Sequence, residues 1–134
     1  MEKVVKFLKE NPVQFLATIG LDGKPKVRPF QFMLEKEGKL YFCTSNKKNV
    51  FKELEKNSYI ELTVAAKDFS WLRLSGKVIF ENNLDLKNKI VESNNLVKSI
   101  YHTGDNPNFE IFYLEKGKAE ISDFSGKLPY IIKF

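Results

Sequence analysis

The chain has 134 residues and a formal net charge of +5, enough length for one domain, residues 1–134, with a real core and no metal or disulfide staple. Its single cysteine, Cys43, excludes an intrachain disulfide, and with one histidine it cannot supply an ordinary structural zinc site, so a reducing, cytoplasmic setting is expected. No stretch approaches membrane-span length, and Met1 to Glu10 alternates charge with Val4, Val5, Phe7 and Leu8, unlike an export signal; a soluble protein with no membrane partner is the expectation.

Val4, Val5 and Leu8 fall on one face at helical spacing, and Asn11-Pro12 ends the pattern, which predicts a short amphipathic helix over Glu2 to Glu10. Val13 to Ile19 is apolar and β-prone, and Asp22-Gly23 suits a tight turn into a second strand, Lys24 to Phe32. A turn at Glu35 to Gly38 leads into a third strand at Leu40 to Thr44, so a three-strand meander is expected. Val50, Phe51 and Leu54 then set a helix at about Lys47 to Lys56, with Ser45 or Asn46 as its cap. Ile60, Leu62 and Val64 alternate as a half-buried strand. In the next, Phe69 to Phe80, Leu72, Leu74, Val78 and Phe80 share one face and Trp71, Arg73, Ser75 and Lys77 the other. Trp71 therefore points away from the core and needs cover from a partner subunit, a planar ligand or the later helix.

That helix is predicted from Leu84 to Ile100, with Leu86, Ile90, Val97 and Tyr101 as its apolar stripe, interrupted at Ser93. A polar loop, Thr103 to Asn108, precedes strand composition from Phe109 to Ile121 with a turn at Gly117, and Tyr130 to Ile132 can add an edge strand. Six or seven mostly antiparallel strands with a few helices predict a mainly β fold with α additions, a closed or nearly closed barrel, the alternative being an open α+β sheet.

Residues 22 to 48 hold seven basic groups against three acidic ones. Within them a strand bearing Arg28 and a strand running through Thr44-Ser45-Asn46-Lys47-Lys48 into a helix combine four things a phosphate monoester needs. These are a guanidinium, an ammonium, hydroxyl donors and a helix N-terminus. His102 has no evident partner in sequence, Cys43 reads as a buried small apolar residue, and no carboxylate pair or metal set stands out. Any redox chemistry must then belong to a cofactor. Binding of single-stranded nucleic acid is disfavoured, because the aromatics mostly alternate into apolar faces and few are left to stack on bases.

Phe15-Leu16-Ala17-Thr18, Asp22-Gly23-Lys24-Pro25, Arg28-Pro29-Phe30, Leu40 to Lys48, Trp71-Leu72-Arg73-Leu74-Ser75-Gly76-Lys77 and Phe112-Tyr113-Leu114 stand in an order that resembles the pyridoxamine 5′-phosphate oxidase-like, FMN-binding split-barrel family. The resemblance covers nearly the whole chain. It implies an antiparallel split β-barrel and a homodimer with FMN at the subunit interface. Carried over, Arg28 with Lys47 or Lys48 would hold the FMN phosphate, Thr44 and Ser45 would donate to it, Pro29, Phe30 and Gln31 would line the isoalloxazine ring, and Trp71 and Arg73 would face the interface. Pyridoxamine phosphate oxidase itself grips its substrate with arginine and histidine in a C-terminal segment, and Ser122 to Phe134 contains neither. The expected function is thus an FMN-dependent oxidoreductase acting on a small molecule other than a B6 vitamer. The alternative is a non-catalytic flavin- or haem-binding module.

Overall fold

The computed structural model describes residues 1–134. In chain order it runs α1 (Glu2–Glu10), β1 (Gln14–Ile19), β2 (Pro25–Phe30), β3 (Phe32–Lys36), β4 (Lys39–Ser45), α2 (Asn49–Lys56), β5 (Tyr59–Ala65), β6 (Trp71–Glu81), α3 (Leu84–Ser93), α4 (Asn95–Tyr101), β7 (Phe109–Ser122) and β8 (Tyr130–Lys133). All strand pairs are antiparallel, in the order β2-β1-β5-β6-β7-β4-β3, with β8 on the second half of β7. The two ends of that order, β2 and β3, are separated in the chain by Gln31 alone. The sheet curls until its edges meet through the covalent chain, not through a hydrogen-bonded ladder: it is a split barrel, not a closed one.

The expected meander does not form. β1 begins at Gln14, where its pairing with β2 ends at Phe30, so the chain beyond has no partner there and crosses to β4, first pairing Phe32 with Phe42. The single strand expected over Lys24 to Phe32 is therefore two, which raises the strand count to eight. The long helix predicted from Leu84 breaks at Asn94, whose backbone is extended and whose side chain accepts from the Val97 N–H to cap α4. Nor does the chain turn at Gly117. β7 runs on through it, and the register against β6 slips between Ser75 and Lys77, a bulge that sets two β7 residues against one.

Alternation divides the side chains as the sequence pattern implies. Leu62, Leu72, Leu74, Phe42, Phe112 and Leu114 fill the barrel, where the Phe42 and Phe112 rings stack 5.6 Å apart, and Val4 and Leu8 of α1 join the same core. Tyr41, Phe109 and Ile111 point outward under α3 and α4 and pack with Leu86, Ile90, Val97 and Tyr101. β4 and β7 are thus covered on both faces, which explains the unbroken buried run Leu40-Tyr41-Phe42. No helix is long and apolar enough to cross a membrane.

β8 is held at its end by paired backbone bonds between Gly117 and Phe134, at 2.7 and 2.9 Å, and the Phe134 ring lies where a β-carbon on residue 117 would stand. Gly117→Ala should displace that ring and free β8 while the rest of the barrel holds. Amide exchange of Ile131 to Phe134 should accelerate at least tenfold with β5 and β6 amides unchanged; uniform protection would refute this.

Candidate functional site

The place where the ladder splits is also where a cleft opens, with a volume of about 310 Å³. Pro12, Val13, Pro29, Phe30, Gln31 and Met33 line it from the split, Cys43, Thr44 and Lys48 from the end of β4 and the turn after it, and Leu96, Val97, Ile100 and Tyr101 from α4. Asn94 fixes the approach of α4 to the split by donating to the Gln31 side-chain carbonyl at 3.4 Å. The walls are mostly apolar, and Lys48 is the single charged side chain among them.

Lys48 occupies the N-cap of α2, a position expected for Ser45 or Asn46. Those two are engaged elsewhere. Ser45 Oγ accepts from the Lys47 N–H at 3.2 Å, and the Asn46 amide donates to the Pro107 carbonyl at 2.8 Å, tying the turn to the loop before β7. The α2 N-terminus consequently has no side-chain cap and no acid in its first turn, and its partial positive charge adds to that of Lys48. Beside it Thr44 is 3% exposed and its hydroxyl has no hydrogen-bond partner in the chain. A buried hydroxyl left unpaired costs about 1–3 kcal/mol, so position 44 carries a polar group that the chain itself does not satisfy.

Arg28 does not line the cleft. Its guanidinium donates to Glu53 Oε1 at 2.7 Å, to Thr18 Oγ1 at 2.8 Å and to the Leu16 carbonyl at 3.3 Å, and Thr18 in turn donates to Glu53 at 2.8 Å. Three of five N–H donors are used and the charge is neutralised by a carboxylate that is 6% exposed. The network joins β1, β2 and α2, so it positions the helix whose first residue adjoins Lys48. Trp71 and Arg73 also lie apart from the cleft, on the outer face of β6. Arg73 pairs with Glu61 at 3.1 Å, and the Trp71 ring packs on Phe124 at 5.1 Å, not under the later helix. The structure therefore gathers Pro29, Phe30, Gln31, Thr44 and Lys48 at one site, holds Ser45 and Lys47 in the adjoining turn, and separates Arg28, Trp71 and Arg73 from it.

Glu53, Gln14 and α4 were not singled out from the sequence, though two carry a signal. Glu53 stands three residues after Val50 on the buried side of α2, a place for an acid only if a cation meets it. Gln14 begins the inward series Gln14, Leu16, Thr18 with a polar group.

Burial pushes the Cys43 thiol up to about 12, with Lys48 opposing the shift. At pH 8 the thiolate fraction is then far below that of a free cysteine, and alkylation by iodoacetamide should be at least a hundredfold slower in the folded protein than after denaturation. Equal rates would show that the thiol is open to solvent. Glu53→Ala strands a partly buried guanidinium and should cost about 2–4 kcal/mol in chemical denaturation, whereas Arg28→Met with Glu53→Leu should recover most of it. A cost below about 1 kcal/mol for the single change would place the network among weak surface pairs.

The family model described as pyridoxamine 5′-phosphate oxidase matches residues 1–115. No curated protein matches the chain. Among solved structures, a NimC/NimA family protein from Clostridium acetobutylicum is 33% identical, covers 100% of this chain and 92% of its own length, and has a TM-score of 0.91. A pyridoxamine 5′-phosphate oxidase-related, FMN binding protein from Nostoc punctiforme shares the fold at 13% identity, with 97% and 87% covered and a TM-score of 0.72. A heme binding protein from Mycobacterium smegmatis shares it at 15% identity, covering 93% of this chain and 54% of its own, with a TM-score of 0.72. Matched over most of its length and carrying the split barrel, the chain belongs to the pyridoxamine 5′-phosphate oxidase family.

Proposed function

We propose that this protein is an FMN-binding flavoprotein, an oxidoreductase for a small molecule that works as a homodimer. The observation that carries the reading is an apolar cleft whose one charge is Lys48 and whose lining includes Thr44, a residue with a buried, unpartnered hydroxyl. A flavin mononucleotide offers a planar, largely apolar ring and a phosphate. The cleft offers apolar walls for the first and, at its α2 end, an ammonium, a hydroxyl and an uncapped helix N-terminus for the second. A volume of about 310 Å³ is at the lower limit for a cofactor site, which agrees with a seat that one chain builds only in part. When bound, the flavin supplies the electron transfer.

The chain's own residues bind, orient and exclude water. Lys48 compensates the phosphate charge, with Lys47 raising the local potential from the same turn. Pro29, Phe30 and Gln31 set the ring plane at the split. Arg28 acts through Glu53 by holding α2. Trp71 and Arg73 contribute from the second copy, and the description of the Nostoc punctiforme relative as FMN binding supports a flavin as the ligand.

Haem is the second reading, favoured by the M. smegmatis relative and by Met33, Cys43 and Tyr101 in the cleft, which are iron-ligating types. The raised thiol pKa counts against a thiolate ligand. Visible spectra with each cofactor, followed by gel filtration, separate the two. Flavin bands should co-elute with the protein, Lys48→Ala should weaken FMN binding 10- to 100-fold, and Thr44→Val 3- to 10-fold, with the far-ultraviolet circular dichroism unchanged. A protein that ignores FMN, or a Lys48→Ala variant of unchanged affinity, refutes the assignment.

A further inference from the structure

The charged end of the cleft and its apolar wall stand on elements far apart in sequence, the turn 45–48 and α4, yet one loop, residues 102–108, is bonded to both. On the side of the turn the attachment runs through Asn46. Its backbone N–H donates to the Asn108 carbonyl at 2.9 Å, and its side-chain amide donates to the Pro107 carbonyl at 2.8 Å and reaches Glu110 Oε2 at 3.5 Å. Ser45 pairs with Phe109 in the ladder of β4 and β7, and the Lys48 N–H donates back to the Ser45 carbonyl at 3.1 Å. Lys48 is therefore placed from the loop through two residues of its own turn. On the side of α4 the attachment runs through Asn106. Its side-chain amide donates to the Tyr101 carbonyl at 3.0 Å, its side-chain oxygen accepts from the Asn108 N–H at 2.8 Å, and its own carbonyl accepts from the Phe109 N–H at 3.0 Å. The Tyr101 ring, part of the cleft wall, packs on Phe109 with centroids 4.6 Å apart.

The backbone of this loop is costly to form. Two bulky residues hold φ at +68°: Phe69, 73% exposed in the turn between β5 and β6, and His102, where α4 ends. His102 has ψ at −50°, and the Thr103 N–H donates across it to the Tyr101 carbonyl at 2.8 Å. That is a γ-turn of the strained hand, which persists only where its surroundings over-determine it. At His102 they do. The Tyr101 carbonyl accepts from Thr103 and from Asn106 together, and two residues on Gly104 is buried against α3, where a β-carbon on residue 104 would stand 2.6 Å from the Asn88 backbone nitrogen. The loop cannot shift along α3 or α4 without losing one of these contacts, so a connection that is polar and largely exposed holds a single shape.

We propose that loop 102–108 fixes the charged end of the cleft relative to its apolar wall, and that Asn46 is a positioning residue through which it holds Lys48 on the anionic end of the ligand. The inference rests on the reading above, in which Lys48 meets a phosphate, and adds what sets the place of that ammonium. FMN and riboflavin, which lacks the phosphate, are titrated by flavin fluorescence into the wild type, Lys48→Ala, Asn46→Ala, Gly104→Ala and the double variant Lys48→Ala with Asn46→Ala. Asn46→Ala, which removes one side-chain bond, should weaken FMN about 3- to 10-fold and riboflavin less than about twofold. Gly104→Ala, remote from Lys48, should show the same preference for damaging FMN. Added to Lys48→Ala, Asn46→Ala should cost less than about twofold more, because it acts through the ammonium that is already gone. Equal losses for the two flavins, or full additivity in the double variant, overturn the inference while leaving the phosphate assignment in place. A Lys48→Ala variant of unchanged FMN affinity overturns that assignment, and the role of Asn46 in the binding of a phosphate falls with it. The hold of the loop on the turn is read without any flavin: in Asn46→Ala the amides of residues 46–48 should exchange at least about tenfold faster with those of β5 and β6 unchanged. Unchanged exchange in the turn overturns the inference whatever the titrations give.

Discussion

The barrel depends on what happens to the backbone where its ladder comes apart, and the side chain of Gln14 governs that point. Fully buried, it accepts from the Phe32 N–H at 2.6 Å and donates to the carbonyls of Leu8 at 3.1 Å and Asn11 at 2.9 Å. Phe32 is the first residue past the split. The last residues of α1 lie on the other side of it. One amide thereby supplies Phe32 with the partner that a closed ladder would have supplied, and it also pairs two carbonyls that the end of α1 leaves without an intrahelical donor. With the split stabilised in this way, β2 and β3 can belong to opposite ends of one sheet, and the chain between them is free to line a cleft.

The second constraint is how charge is distributed around that cleft. Two arginines face carboxylates, but in different solvents. Arg73 and Glu61 are 57% and 47% exposed as side chains, a setting where an ion pair contributes about 0–1 kcal/mol. Arg28 and Glu53 are 24% and 6% exposed and share Thr18, so neither can be removed without stranding the other. The buried pair cancels its own charge and fixes the start of α2. What remains positive near the cleft is Lys48, with Lys47 in the same turn, and the end of the helix, a weak and directional attraction suited to an anion at one end of an otherwise apolar ligand.

Much of the fold was legible because alternation and turn chemistry act locally. The Asp22-Gly23 turn, the two faces of Trp71 to Phe80 and the stripe Leu86, Ile90, Val97, Tyr101 all follow from nearest neighbours in sequence, and all four stripe residues are buried. The expected meander failed because it assumed that successive strands pair; whether β2 continues along β1 is decided by where β1 begins, and no property of Lys24 to Phe32 encodes that. The helix break at Asn94 was hinted at by the polar interruption at Ser93, but a short interruption does not distinguish a bend from a stop. For the site, the turn of Thr44 to Lys48 was readable from residue types alone. The use of Arg28 was not, because a guanidinium on a strand suits a ligand or a buried acid equally, and only the packing of α2 brings Glu53 to it.

These features together describe a cleft built from conflict between local and global demands. β4 is covered on both faces in its middle, yet at its end the barrel stops and α4 does not reach across, so Cys43 and Thr44 fall at the margin of two cores. A fully packed core would have put an apolar residue at position 44, and a solvated turn would have exposed the hydroxyl to water. Thr44 meets neither condition, and the aromatic display at Phe69 is likewise costly within one chain. Local rules broken at two places, without compensation inside the monomer, are where a folded protein commonly meets something other than itself. In this chain the first place calls for a polar group in an apolar setting and the second for apolar cover, so the two deficits differ in chemistry.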